Sequence, residues 1–256
     1  MIYLKTYFYV EHELQFLKYN LIESYPYINK FIICEFNKTH TGMPRSFIGI
    51  NKLLSALPEE FHDKVLYLQI PLDGYTVEAY NREDLIHQIN EPVMRSIFMK
   101  HTEFQDDDII ISVDADEIIY GDVYPLIEQK LQQISACTLN LHQFFYKTNY
   151  LWVNKDFVAP TAAKFSYFKD KFPCNLRYEG EVLQFKAGCH FSWCMNVDEM
   201  IYKLETYSHP KYRFCADKEL LRKAIENKEY PFDRSQKFEI QEIELNSEIL
   251  PKSMRK

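Results

Sequence analysis

Residues 109–119 read Ile-Ile-Ile-Ser-Val-Asp-Ala-Asp-Glu-Ile-Ile, and no other stretch limits the fold as strongly. The apolar, β-branched lead-in suits a strand buried on both faces, as in a parallel sheet. It runs straight into Asp114, Asp116 and Glu117. Three carboxylates in four positions repel one another unless a cation or donor groups neutralise them. At the carboxyl end of a buried strand they face the crevice where open α/β sheets bind ligands. Two readings follow: a divalent-metal site for a phosphorylated substrate, or a strand followed by an acidic turn.

The chain has 256 residues, enough for one large α/β domain. No linker rich in Pro, Gly or Ser divides it, so residues 1–256 are read as one unit. A net charge of −7 argues against a nucleic-acid partner. No stretch approaches the roughly 20 apolar residues of a membrane span. The first ten residues lack a basic n-region and a cleavage site, so the chain is expected to be cytoplasmic. Its six cysteines form no CxxC pair, which favours buried free thiols over disulfides or zinc. With 6 Gly and neither GxxxxGK[ST] nor GxGxxG, a phosphotransferase built on a glycine-rich loop is a weak reading.

The first 135 residues alternate strands with helices, the pattern of a mainly parallel sheet. Residues 11–25 place Leu14, Leu17, Leu21 and Ile22 on one helical face. Strands are expected over 31–36, 65–70 and 109–113, and helices over 81–101 and 122–134. Asp106, Asp107 and Asp108 read as a solvated turn. Residues 136–187 carry β-like runs at 137–146, 150–158, 163–168 and 182–187. Helices return at 197–208 and 216–228, and residues 235–256 read as a loosely packed polar tail. The two halves suggest a nucleotide-binding part, 1–135, and an acceptor-side part, 136–230.

Three segments in combination resemble glycosyltransferase family 17. The first is Phe31-Ile-Ile-Cys-Glu35-Phe-Asn-Lys-Thr39-His40-Thr41-Gly42, followed by Arg45. The second is Asp114-Ala-Asp116-Glu117-Ile118. The third runs from Gly188-Cys-His190-Phe-Ser192-Trp193-Cys194 through Glu199 and Lys203 to Tyr207-Ser208-His209. The resemblance covers roughly residues 1–230. The chain departs from the family pattern at Cys189, at Arg45-Ser46 and at Ala216-Asp217.

The resemblance implies a GT-A fold, a Rossmann-type α/β/α sandwich that binds a nucleotide-sugar donor. It implies inverting transfer of a sugar, with GlcNAc from UDP-GlcNAc the first choice, to a hydroxyl of a glycan acceptor. The physics agrees, because carboxylate-held Mn²⁺ or Mg²⁺ absorbs charge on a diphosphate leaving group. Asp116 is then the first metal ligand. Asp114 binds the ribose or joins the metal set. Glu117 lies behind them, faces the sugar, or is a turn carboxylate. His190 is the second metal candidate, against the alternative of a packed histidine. Trp193 either floors the sugar site or fills the core. Glu35, Thr39, His40 and Thr41 are expected to hold the nucleoside, and Arg45 the diphosphate. Arg95 reads as an exposed helix charge. Glu199 is the leading general base and Asp217 the second, with Asp198 as a helix N-cap. His209 serves the acceptor or phosphate side, or ends a helix. A non-catalytic sugar-binding protein on the same fold is the competing class.

Overall fold

A computed structural model describes residues 1–233 and 235–255. The strands are β1 (Ile2–Phe8), β2 (Lys30–Phe36), β3 (Val65–Ile70), β4 (Ile109–Ser112), β5 (Glu117–Ile119), β6 (Ala136–Phe145), β7 (Tyr150–Lys164), β8 (Glu181–Ser192) and β9 (Ile240–Glu242). The α-helices are α1 (Glu13–Ser24), α2 (Asn51–Leu54), α3 (Glu83–Leu85), α4 (Glu91–Ser96), α5 (Tyr124–Gln133), α6 (Phe165–Phe168), α7 (Val197–Thr206) and α8 (Lys218–Asn227).

The strands form one sheet in the order β3-β2-β1-β4-β7-β6-β8-β5, with β9 added to β7. The first-half strands β3, β2, β1 and β4 pair in parallel. Beyond β4 the sheet turns mixed: β7 runs antiparallel to β4 and β6, β8 is parallel to β6, and β5 is antiparallel to β8. The fold class is the expected α/β, with a parallel first half and a mixed second half.

Alternation along the parallel strands explains the burial on both faces. Leu4, Phe31, Ile33 and Ile111 pack on one side with Leu14, Leu17 and Leu21 of α1 and Ile127 of α5. Tyr3, Ile32, Cys34 and Ile110 pack on the other side with Val93, Met94 and Phe98. Each fully buried Leu, Ile or Phe is worth about 1.5–3 kcal/mol relative to exposure. Ile22, expected on the buried face of α1, is 36% exposed instead. The helix turns Leu21, not its neighbour, onto the sheet.

The expected single helix over 81–101 is broken into α3, a π-helical turn at Ile86–Asn90, α4 and a 3-10 turn at Ile97–Lys100. Pro92 sits in the first turn of α4, where its missing N–H leaves no further orphan. The two runs expected at 150–158 and 163–168 are one strand, β7, followed by α6. Asp108 is not solvated. It is 3% exposed and accepts the Gln105 N–H at 2.8 Å. The polar tail is docked as well. Ile240–Glu242 pairs with β7, and Leu250 is buried against Phe16 and Phe191. Five of the six cysteines are buried, and all six are free thiols.

Candidate active site

The chain leaves the sheet plane at the carboxyl end of β4. Val113 still donates to Lys5 O at 3.0 Å, and the Asp114–Asp116 turn then leads into β5. The carboxyl ends of β1, β2 and β4 meet here, so Tyr9, Thr39, His40 and Asp114 line one narrow recess of about 130 Å³. A wider cleft of about 600 Å³ opens beside it and shares Glu91, Arg95, Asp114, Asp116 and Lys203.

Asp116 and His190 are brought together by strand register. Glu117 pairs across from His190, and Phe191 N–H donates to Asp116 O at 2.8 Å. The His190 Nε2 lies 3.7 Å from Asp116 Oδ1. Its Nδ1 lies 2.9 Å from Gln143 Oε1, and Gln143 is the register partner of His190 on β6. An amide oxygen only accepts, so Nδ1 carries the proton and Nε2 presents its lone pair towards Asp116. Burial pushes the imidazole down to about 4, against the opposing pull of Asp116, so the ring is neutral. A neutral imidazole oriented by its far nitrogen, beside a carboxylate, is a donor set that fits a divalent ion. Lys203 stands on the other side, its Nζ 3.4 Å from Asp116 Oδ2. Burial weakens this ammonium, but Asp116 and Glu13 outweigh it and raise its affinity for the proton.

Asp114 has a different place from the one expected. Arg95 donates to its Oδ1 at 2.6 Å and to its Oδ2 at 3.2 Å, and Arg177 also donates to Oδ2. Burial opposes its charge, but Arg177 and Arg95 prevail and hold it well below the usual carboxylate range. Both Asp114 oxygens are engaged by guanidinium forks, whereas Asp116 meets only the Lys203 ammonium and the His190 ring. Glu117 is fully buried, receives Arg177 at 2.9 and 2.7 Å, and accepts the Asp114 N–H at 2.7 Å. It braces the turn and does not face the cleft. Arg95, read as an exposed charge, is 4% exposed and links Asp114 to Glu91.

In the narrow recess, Tyr9 and His40 stack obliquely with centroids 4.6 Å apart. Asn90 fixes the His40 carbonyl at 2.8 Å. Burial pushes the His40 imidazole down to about 4, leaving it neutral. Thr39 lines the recess, whereas the Thr41 hydroxyl lies behind it, 2.9 Å from that of Thr39. Glu35 and Arg45 do not reach out to a donor. Glu35 is fully buried, and its oxygens accept from Arg45, the N–H groups of Ile48 and Gly49, and the Tyr67 hydroxyl. Arg45 also donates to Phe36 O at 2.6 Å, so its fork braces the loop instead of pairing with a diphosphate.

The two expected general bases are both helix caps. Glu199 closes a capping box with Asn196 at the start of α7 and sits in a separate surface pocket beside His12. Asp217 is the N-cap of α8 and accepts the Leu220 N–H at 2.8 Å. Neither lines the recess or the cleft. Asp198 is not the cap but an exposed partner of Lys218. Trp193 lines the cleft while packing on Phe232 and Tyr207, so it serves as wall and core together. Sequence reasoning missed Arg177 and Gln143. Arg177 sits in an irregular loop with no local pattern, and Gln143 is marked only by its register.

Among the described residues no helix is long and apolar enough to cross a membrane. Comparison with solved structures finds distant likenesses. An active-site mutant of LgtC is 10% identical with a TM-score of 0.37, covering 67% of this chain and 60% of LgtC. TarS of S. aureus, residues 1–349, is 9% identical with a TM-score of 0.42, covering 88% and 73%. A 4-diphosphocytidyl-2C-methyl-D-erythritol synthase is 9% identical with a TM-score of 0.43, covering 80% and 98%. This chain thus spans about 60% of the length of LgtC. A search of curated proteins returns no match. The family model described as Glycosyltransferase family 17 matches residues 6–228, which take in all three segments singled out above. The chain, built on the mixed α/β sheet described above, belongs to glycosyltransferase family 17.

Proposed function

We propose that this enzyme moves a sugar from a nucleotide-sugar donor to a hydroxyl of a glycan, with inversion to a β-linkage and with help from a divalent cation. UDP-GlcNAc is the donor we favour, on the family resemblance. The observation that carries the reading is the pair Asp116 and His190, whose Nε2 is left free by the Gln143 contact. Asp116 and His190 would hold the ion, Mn²⁺ in preference to Mg²⁺ for a mixed oxygen and imidazole set. A bound ion supplies positive charge to the departing diphosphate.

The chain's own residues do the rest. The Tyr9–His40 recess receives the base and excludes water from it, and Asn90 holds the loop that carries His40. Arg95 and Arg177 keep Asp114 ionised and fixed, ready to accept from a donor hydroxyl. Lys203 brings a second positive charge to the phosphate side. Trp193 and Phe157 offer faces for a sugar ring in the wider cleft. The 1–135 part serves the donor, and the second half shapes the acceptor side.

Lys203 also supports a second reading, in which its ammonium alone neutralises the leaving group. Measuring donor hydrolysis with Mn²⁺ and with chelator separates the two. Turnover that survives chelation but is lost in Lys203→Ala selects the second. Sugar binding with no turnover under either condition selects a non-catalytic protein.

A further inference from the structure

We propose that Glu83, His87 and His209 form a second metal site, for an ion of the Zn²⁺ class, at the rim of the wider cleft. It shares no side chain with the Asp116–His190 pair. Each residue offers one ligand atom, and the three atoms lie within 4.8 Å of one another. Glu83 Oε1 lies 2.8 Å from His209 Nδ1 and 3.5 Å from His87 Nε2. Ligand atoms around a tetrahedral zinc, at about 2.0–2.2 Å from the ion, stand roughly 3.3 Å apart. The cluster therefore needs only small side-chain adjustments to close on an ion.

The arrangement behind His87 is independent support. Its Nδ1 lies 2.8 Å from Glu91 Oε2, and Glu91 is itself held by Arg95 at 2.8 Å. A carboxylate that accepts from one imidazole nitrogen and aims the other at the ion is the usual backing of a zinc-bound histidine. Two imidazoles and one carboxylate suit zinc, and three protein ligands leave a fourth position open. The competing cation is also visible. Lys211 Nζ lies 3.2 Å from Glu83 Oε1, and its side chain is half-exposed and free to swing away.

The site would join two separate parts of the cleft rim. Glu83 and His87 belong to the broken helix at 83–91, whereas His209 follows α7, the helix that carries Lys203. An ion there ties the donor-side rim to the acceptor-side rim.

The test is a Zn²⁺ titration by calorimetry, with Co²⁺ as the visible-absorption probe, on the full chain. The Asp116→Ala/His190→Ala double variant removes the other site. We expect one Zn²⁺ to remain bound in that variant, with tetrahedral Co²⁺ bands. His87→Ala or His209→Ala should weaken this binding about 10- to 100-fold. Lys211→Ala, which removes the competing ammonium at an exposed position, should tighten it about two- to fivefold. This last variant cannot act through loss of the ligands or the fold. Zn²⁺ binding that vanishes in the double variant overturns the proposal. So does unchanged affinity in His87→Ala and His209→Ala, or unchanged or weaker binding in Lys211→Ala.

Discussion

Gln143 decides how His190 is used. Replacing it by Leu removes the acceptor that holds the Nδ1 proton, so the imidazole is free to turn or to switch tautomer. Gln143→Leu should weaken Mn²⁺ binding about 10- to 100-fold while the melting temperature changes little, as calorimetry and thermal melts would show. Lys5 is a second informative residue. It is fully buried beneath the site, its Nζ has no hydrogen-bond partner, and burial lowers its pKa from 10.5 to about 7. Between those values the unfolded chain binds more protons. Stability from this group therefore rises with pH across that window, and the destabilisation is complete below it. Lys5→Met should raise stability by about 2 kcal/mol at pH 6, with the gain fading towards pH 10, as urea unfolding at the two pH values would report. Asp116 and His190 stand out in the sequence because both lie in distinctive local motifs, and the structure brings them within 3.7 Å of each other. Arg177 and Gln143 were not, because their partners are set by loop placement and strand register. The same long-range pairing ties Asp114 to two arginines, from positions 95 and 177, that no local pattern announces.

At the scale of elements, a carboxylate at a helix start has two uses that sequence alone cannot separate. It can cap the helix or serve a reaction. Glu199 and Asp217 cap. Asn196→Ala should therefore lower stability by about 1 kcal/mol. Asp217→Ala should do the same, and Glu199→Gln should leave kcat within about twofold of wild type. A kcat loss of about 100-fold or more in Glu199→Gln would return it to the catalytic machinery. Strand β8 offers a sharper test. Gly188 packs so closely on β5 that a Cβ would collide with the Ile118 carbonyl. Gly188→Ala should loosen the β5–β8 pairing, which aligns Asp116 with His190, and so weaken metal binding as well as stability. The strands at 31–36, 65–70 and 109–113 were legible because alternation on a doubly buried sheet leaves continuous apolar runs. The 81–101 segment was not. Its amphipathic spacing is that of a helix, but its π and 3-10 turns are set by what it packs against.

Across the whole molecule, the sheet joins two halves and the site lies where they meet. The parallel half supplies Asp116 and the Tyr9–His40 recess, and the mixed half supplies His190, Gln143 and Arg177. The change from parallel to mixed pairing at β4–β7 puts the acidic turn beside β8. The C-terminal segment reinforces this seam. Tyr120 donates to Ile249 O, and Ser253 N–H donates to Glu23 at 2.9 Å. The polar composition of that segment hid its docking, because its anchors, Ile243 and Leu250 among them, are apolar residues scattered in a polar run. On the function proposed above, Asp116 and His190 support cation-assisted cleavage of a nucleotide-sugar. The most direct measurement is release of nucleoside diphosphate from a panel of nucleotide-sugars, with Mn²⁺ and with chelator, by wild type, Asp116→Ala and His190→Ala. The expected result is turnover of one donor that chelation abolishes and that both substitutions lower by about 100-fold or more. Turnover unaffected by chelator and by both substitutions would contradict it.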